Sequence, residues 1–261
     1  MNDPLEHQFS VDGITLAGHL ALPPRAGGRR PGVVICHGFP SGHGSGPKSA
    51  HTYPQLADRI ANDVDSVALA FNFRGCRPSK GRFSLAGWRN DIQAAAAHLA
   101  ARPDVSGVVA VGFGTGGALC VCAAAQDERI RAVAALGSPA DFSDWSRAPR
   151  RLADYADGLG LFGAGGVPQP FDEWARDFRE IRAVDCAETM SPRSLLLLHG
   201  AEDETVPVLD ARAVADAHGD AELKIMPGAG HQLRHDPRAV ALLLGWLDRQ
   251  RSSLVTPAQQ S

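Results

Sequence analysis

The 261-residue chain is 44% hydrophobic and 21% charged, which supplies enough apolar material for one sizeable core and points to a single domain over residues 1–251. Its formal net charge of -3 is scattered, leaving no basic stripe for nucleic acid and no polybasic patch for a membrane surface. The polar, acidic start from Met1 to His7 lacks the basic and apolar segments of a signal peptide, so a cytoplasmic location is expected.

His7 to Val11 and Ile14 to Leu22 alternate apolar and polar residues around Asp12-Gly13, a dipeptide suited to a tight turn, and read as an antiparallel hairpin. Gly32 to Cys36 is the first continuous apolar run, as expected of a strand buried on both faces. After it come His37-Gly38-Phe39-Pro40 and a Gly/Ser-rich loop through Lys48. That loop lacks the Gly-Lys-Ser/Thr ending of a phosphate-binding P-loop and reads as a connection at the mouth of a site. Residues 51–62 are predicted helical, Ser66 to Phe71 a strand, and Leu85 to Ala101 an alanine-rich helix.

Residues 105–125 are uncharged and approach membrane-spanning length, but the glycines in their middle fit a strand, a turn and a buried helix. Arg131 to Gly137 is a further strand. The segment 140–190, with Trp145, Tyr155, Phe171, Trp174 and Phe178, is too aromatic for a linker and is expected to form a helical cap. The strand Ser194 to Leu198, a helix over 208–217, the strand Glu222 to Met226 and a helix over 237–250 complete the core, and 252–261 reads as a disordered tail. The expected fold class is α/β: a mostly parallel eight-stranded sheet covered by helices on both faces.

Two readings compete for the turn at 112–117. Gly112, Gly114 and Gly117 spell the G-x-G-x-x-G of a dinucleotide site, but the following strand ends in Gly137-Ser138 without the acid such a site needs for the ribose. The same stretch also matches a nucleophile elbow, G-x-S-x-G-G, whose serine is replaced by Gly114. Centring the elbow on Thr115 instead would put Phe113 where strand and helix crowd and a small residue is required.

Three segments together resemble the α/β-hydrolase superfamily, in particular its small esterase, dienelactone-hydrolase-like and serine-aminopeptidase-like branches. They are His37-Gly38-Phe39, the elbow, and the pair formed by His199-Gly200-Ala201-Glu202-Asp203 and Gly228-Ala229-Gly230-His231. Asp203 stands 89 residues after Gly114, and His231 another 28 on, the nucleophile, acid, histidine order of that fold. The resemblance implies an α/β-hydrolase fold acting on a small molecule, with Asp203 orienting the general base His231 and the N–H groups of Phe39 and Thr115 forming an oxyanion hole. Trp145 and Trp174 are candidates to line the substrate pocket. Cys36 and Ser138 fall at strand ends on the same side and read as packing and turn residues.

Glycine at the elbow centre excludes an ordinary serine acyl-enzyme. Three functions remain open: a nonstandard hydrolase using water and the His231–Asp203 dyad on an ester, thioester or lactone; a catalytically silent binding or regulatory protein; and an inactivated serine esterase. No cofactor and no metal are expected, since the five cysteines lack paired spacing and read as reduced thiols. Nothing in the sequence sets the oligomeric state.

Overall fold

The computed structural model describes residues 5–25, 27–40 and 46–255, with the side chains of 46–52 and 255 left aside. The described residues form an eight-stranded sheet in the order β1-β2-β4-β3-β5-β6-β7-β8. Its strands are β1 (His7–Val11), β2 (Ile14–Ala21), β3 (Arg30–Cys36), β4 (Val67–Phe71), β5 (Val105–Phe113), β6 (Ile130–Leu136), β7 (Ser194–Gly200) and β8 (Glu222–Met226). β1 and β2 run antiparallel, joined through Asp12 and Gly13 at φ 51° and 74°, the paired positive angles of a hairpin turn. β2 also meets β4 antiparallel, and every pairing from β4 to β8 is parallel.

The central strands read as unbroken apolar runs because both their faces are covered. Val33 and Ile35 face a core built with α1 (Gly46–Val64) and α9 (Pro237–Val255). Val34 and Cys36, one residue out of phase, face the larger core under α2 (Leu85–Ala100) and α3 (Thr115–Gln126). α2 begins at Ser84, whose hydroxyl accepts the Gly87 N–H at 3.0 Å. α8 (Val208–His218) ends on Gly219 in the left-handed conformation that closes many helices.

Between β6 and β7 lie α4 (Ser143–Arg147), α5 (Pro149–Gly158), α6 (Phe171–Glu180) and α7 (Ala183–Met190). The first three, with the connection between α5 and α6, carry an aromatic cluster in which Trp174 meets Phe178 edge to face at 4.8 Å and Phe162 at 5.8 Å. α7 instead packs between α3 and α8 and belongs to the helix layer on the sheet. α1 begins five residues before the expected helix and contains Pro54. α9 continues through 252–255, and 256–261 lie outside the described residues.

Candidate functional site

β5 turns into α3 through Gly112-Phe113-Gly114-Thr115-Gly116-Gly117. Gly114 adopts φ 52°, ψ -126°, a region that strains any residue with a side chain. The flanking glycines are sterically required. A Cβ on Gly112 would come within 2.5 Å of Gly116 and Gly117, one on Gly116 would collide with the His37 carbonyl, and one on Gly117 would collide with the Ser138 hydroxyl. Gly114 differs: the nearest atoms a Cβ there would meet are Gly38 Cα and His231 Nε2 at 3.7 Å and His231 Cε1 at 3.8 Å. The glycines of the turn therefore serve the close approach of strand, helix and neighbouring loops. Of these four glycines, the central one alone leaves a Cβ at ordinary contact distance.

The loop after β3 lies against this turn, since a Cβ on Gly38 would stand 3.1 Å from the Phe113 carbonyl oxygen. Phe39 follows directly, and its ring packs edge to face on Trp145 at 5.0 Å. Thr115 opens α3, where the first N–H groups have no carbonyl within the helix to bind. His37 braces the loop: its Nδ1–H donates to the Gly38 carbonyl at 2.7 Å, while its Nε2 accepts the Phe73 N–H at 3.3 Å. Burial pushes its pKa down to about 4, in keeping with this neutral role.

Asp203 sits in the loop after β7 with its side chain fully buried. Its Oδ1 accepts the N–H groups of Thr205 and Val206, each at 2.9 Å, and its Oδ2 accepts Nδ1–H of His231 at 2.9 Å. The carboxylate thus has one oxygen committed to its own loop and one to the imidazole. His199, at the end of β7, donates Nε2–H to the Val206 carbonyl at 2.9 Å, with Asp203 Oδ2 at 3.4 Å from the same nitrogen. Gly137, φ 57°, lies against the pair at the end of β6: a Cβ on it would stand 3.5 Å from His231 Nδ1 and 3.6 Å from Asp203 Oδ2. With Nδ1 held by the acid, His231 turns its other nitrogen toward Gly114.

The structure thus brings together Gly38-Phe39, Gly114-Thr115, Asp203 and His231 from four separate strand ends. Trp145 is half-buried beside Phe39. Trp174 is placed differently from the pocket-lining expectation. It is 4% exposed, its indole N–H donates to the Phe83 carbonyl at 3.1 Å, and its ring is enclosed by Phe83, Phe162, Phe171 and Phe178, so it is part of the cap core. Cys36 is a buried free thiol, pushed well up by burial. Ser138 donates weakly, at 3.4 Å, to the Leu136 carbonyl. Residues 41–45 and the Lys48 side chain fall outside the described residues. His199 and Gly137 gave no sequence signal of their own beyond the His199-Gly200 pair and a glycine at a strand end.

Among the described residues no three His, Cys, Asp or Glu side chains cluster as a metal ion would need, and no helix is long and apolar enough to cross a membrane.

The fold is shared with solved esterases. Est1E from Butyrivibrio proteoclasticus superposes with a TM-score of 0.70 at 22% identity, covering 95% of this chain and 98% of that one, and it has also been solved with ferulic acid bound. The α/β hydrolase GrgF from Penicillium sp. sh18 gives 0.72 at 19% identity over 94% and 98% of the two chains. The esterase domain of a Rhodothermus marinus protein gives 0.66 at 21% identity over 96% and 98%. No curated protein matches significantly. The family model described as "Alpha/beta hydrolase family" matches residues 33–243, from the first buried parallel strand into the last helix, and the chain belongs to that family.

Proposed function

We propose that the protein hydrolyses a small ester, thioester or lactone by direct attack of water, with His231 as general base. The observation that carries this reading is the approach of His231 Nε2 to Gly114, where a Cβ would stand 3.7 Å from that nitrogen, with Nδ1 of the same ring held by Asp203. A water in the space a serine side chain would fill gives its proton to Nε2 as its oxygen bonds to the substrate carbonyl carbon. The oxyanion that forms is received by the N–H groups of Phe39 and Thr115, the latter at the positive end of α3. Collapse of the tetrahedral species breaks the bond to the leaving oxygen or sulfur, which takes the proton back from His231. Asp203 keeps the ring in the required tautomer and stabilises its charged form.

Phe39, Trp145 and Tyr155 form an aromatic surface next to that position, with Phe39 and Tyr155 rings stacked at 6.3 Å. A flat apolar or aromatic group on the substrate suits it. The ferulic acid bound by Est1E has that character.

The test is hydrolysis of a panel of activated esters by the protein and its His231→Ala variant. Loss of turnover in the variant is expected, and equal rates overturn the proposal. The missing hydroxyl at Gly114 also favours a second reading, a pseudo-hydrolase that retains the pocket for binding. Saturable ligand binding without turnover, unaltered by His231→Ala, would select it.

A further inference from the structure

His199 takes no part in the proton transfers proposed at Gly114, yet it is 1% exposed and stands directly against the acid that serves them. It lies one residue before the end of β7 and four positions ahead of Asp203. A backbone carbonyl can only accept, so the 2.9 Å contact of His199 Nε2 with the Val206 carbonyl places a proton of that ring on Nε2. Val206 in turn gives its own N–H to Asp203 Oδ1 at 2.9 Å. That residue is gripped on both sides, by His199 through its carbonyl and by the acid through its N–H. His199 Nε2 also stands 3.4 Å from Asp203 Oδ2, the oxygen that meets His231 Nδ1 at 2.9 Å.

The other surroundings of His199 ask little of an imidazole. Among the described residues, the small cavity it borders is lined by apolar side chains, including Val121, Ala135 and Val214, with Ser138 as the one other polar group. Backbone contacts already fix where the acid loop meets the histidine loop. A Cβ on Gly200 would collide with the Ala229 and Gly230 carbonyls, and the N–H groups of Ala201 and Glu202 bind the carbonyls of Met226 and Ala229 at 3.0 Å. What they leave open is the rotation of the Asp203 carboxylate. That rotation is set by the donors on Oδ1 and by the group flanking Oδ2.

We propose that His199 is a positioning residue for His231 that acts through Asp203: its Nε2–H clamps Val206, so that Oδ1 stays with the loop and Oδ2 faces the imidazole. The proposal rests on the reading of His231 as general base. With the clamp in place, His231 keeps its proton on Nδ1 and leaves Nε2 free to accept one. Without a donor at residue 199, the Val206 carbonyl is unsatisfied in a buried turn. The turn then shifts, Oδ1 loses a partner, the carboxylate rotates, and His231 populates both tautomers.

The experiment compares the full-length protein with His199→Gln, His199→Phe and His199→Asn. A glutamine amide reaches the place of Nε2–H and donates to Val206, whereas phenylalanine keeps a ring without a donor and asparagine is too short. The His231 tautomer is read by NMR from the chemical shifts of its two ring nitrogens, correlated with the carbon-bound ring protons in alkaline buffer. A proton on Nδ1 is expected in the native protein and the glutamine variant, and a mixture of tautomers in the other two. For an activated ester, kcat should fall about tenfold or more in the phenylalanine and asparagine variants with KM near the native value, and glutamine should restore most of it. A packing role predicts the reverse order, with phenylalanine accepted among apolar walls and glutamine penalised. An undisturbed Nδ1 proton in the phenylalanine or the asparagine variant, or a glutamine variant that resembles them, overturns the proposal. The NMR signature needs no turnover, so the expected tautomers in a protein that hydrolyses no ester would support the role of His199 and sink the hydrolase reading alone.

Discussion

His231 presents Nε2 to Gly114 at a separation where an added Cβ would stand 3.7 Å from that nitrogen, so an oxygen one bond further on falls within hydrogen-bond reach. The Gly114→Ser variant is therefore expected to gain a serine nucleophile already provided with base, acid and oxyanion donors. Its rate on activated esters should rise by about 10²-fold or more, with an acyl-enzyme visible by mass spectrometry. The positive φ of 52° should cost about 1–3 kcal/mol of stability. A stable serine variant with no gain in esterase rate would count against the site as assigned.

Asp203 divides its two oxygens between loop and imidazole, and Asp203→Asn separates these duties. The amide oxygen stays with the N–H groups of Thr205 and Val206, so its NH2 faces His231 and forces the proton onto Nε2. A fall of about 10²- to 10⁴-fold in kcat with little change in melting temperature is expected. Asp203→Ala should lower the melting temperature as well, because two loop N–H groups lose their acceptor.

Two glycine substitutions should move stability in opposite directions. Gly112→Ala drives a methyl to within 2.5 Å of backbone on Gly116 and Gly117, and a loss of about 3 kcal/mol or more, seen as a reduced urea midpoint, is expected. Gly245 is exposed within α9 and a Cβ there meets nothing within 4 Å. Gly245→Ala should add about 1 kcal/mol from helix propensity.

His37 should make acid destabilising. Its ordinary value of 6.5 is pushed to about 4 in the fold by burial, so between those values the unfolded chain takes up a proton that the folded protein refuses. Its contribution is intact above pH 6.5 and is lost as pH falls toward 4, at up to about 1.4 kcal/mol per unit. Asp91 acts the other way. Burial, outweighing its ion pair with Arg74, raises it from 3.8 to about 6, so stability falls as pH rises through that window. Comparison with His37→Asn isolates the first effect: the advantage of the native protein over the variant in urea denaturation should shrink as pH drops from 6.5 to 4.

Trp145 and Trp174 should separate in mutagenesis. Trp174→Ala removes a ring that is 4% exposed and enclosed by four phenylalanines, and a loss of about 3–5 kcal/mol is expected. Trp145→Ala should raise KM for aromatic esters several-fold with a smaller effect on the urea midpoint.

The sheet was legible because strands buried on both faces appear as uninterrupted apolar runs, as in Val33 to Cys36 and Leu195 to Leu198. The elbow was legible because steric crowding leaves glycine as the residue its neighbours accept. Gly137 and His199 were not, since their importance comes from chain segments remote in sequence that arrive beside them. Trp145 and Trp174 read alike for the same reason: both lie in one aromatic segment, and only the surrounding rings distinguish core from surface. The early start of α1 was hidden by the glycines and serines of residues 41–46, which carry turn composition in front of a helix that continues across Pro54.

The unequal burial of the tryptophans gives the molecule an optical reporter. Trp88, Trp174 and Trp246 lie inside the packed interior, while Trp145 is half-buried beside Phe39. Emission from the interior rings is shielded from aqueous quenchers, so iodide or acrylamide selects the Trp145 signal. Protection of that signal by a ligand reads occupancy at the aromatic surface directly, in the unlabelled protein and without turnover.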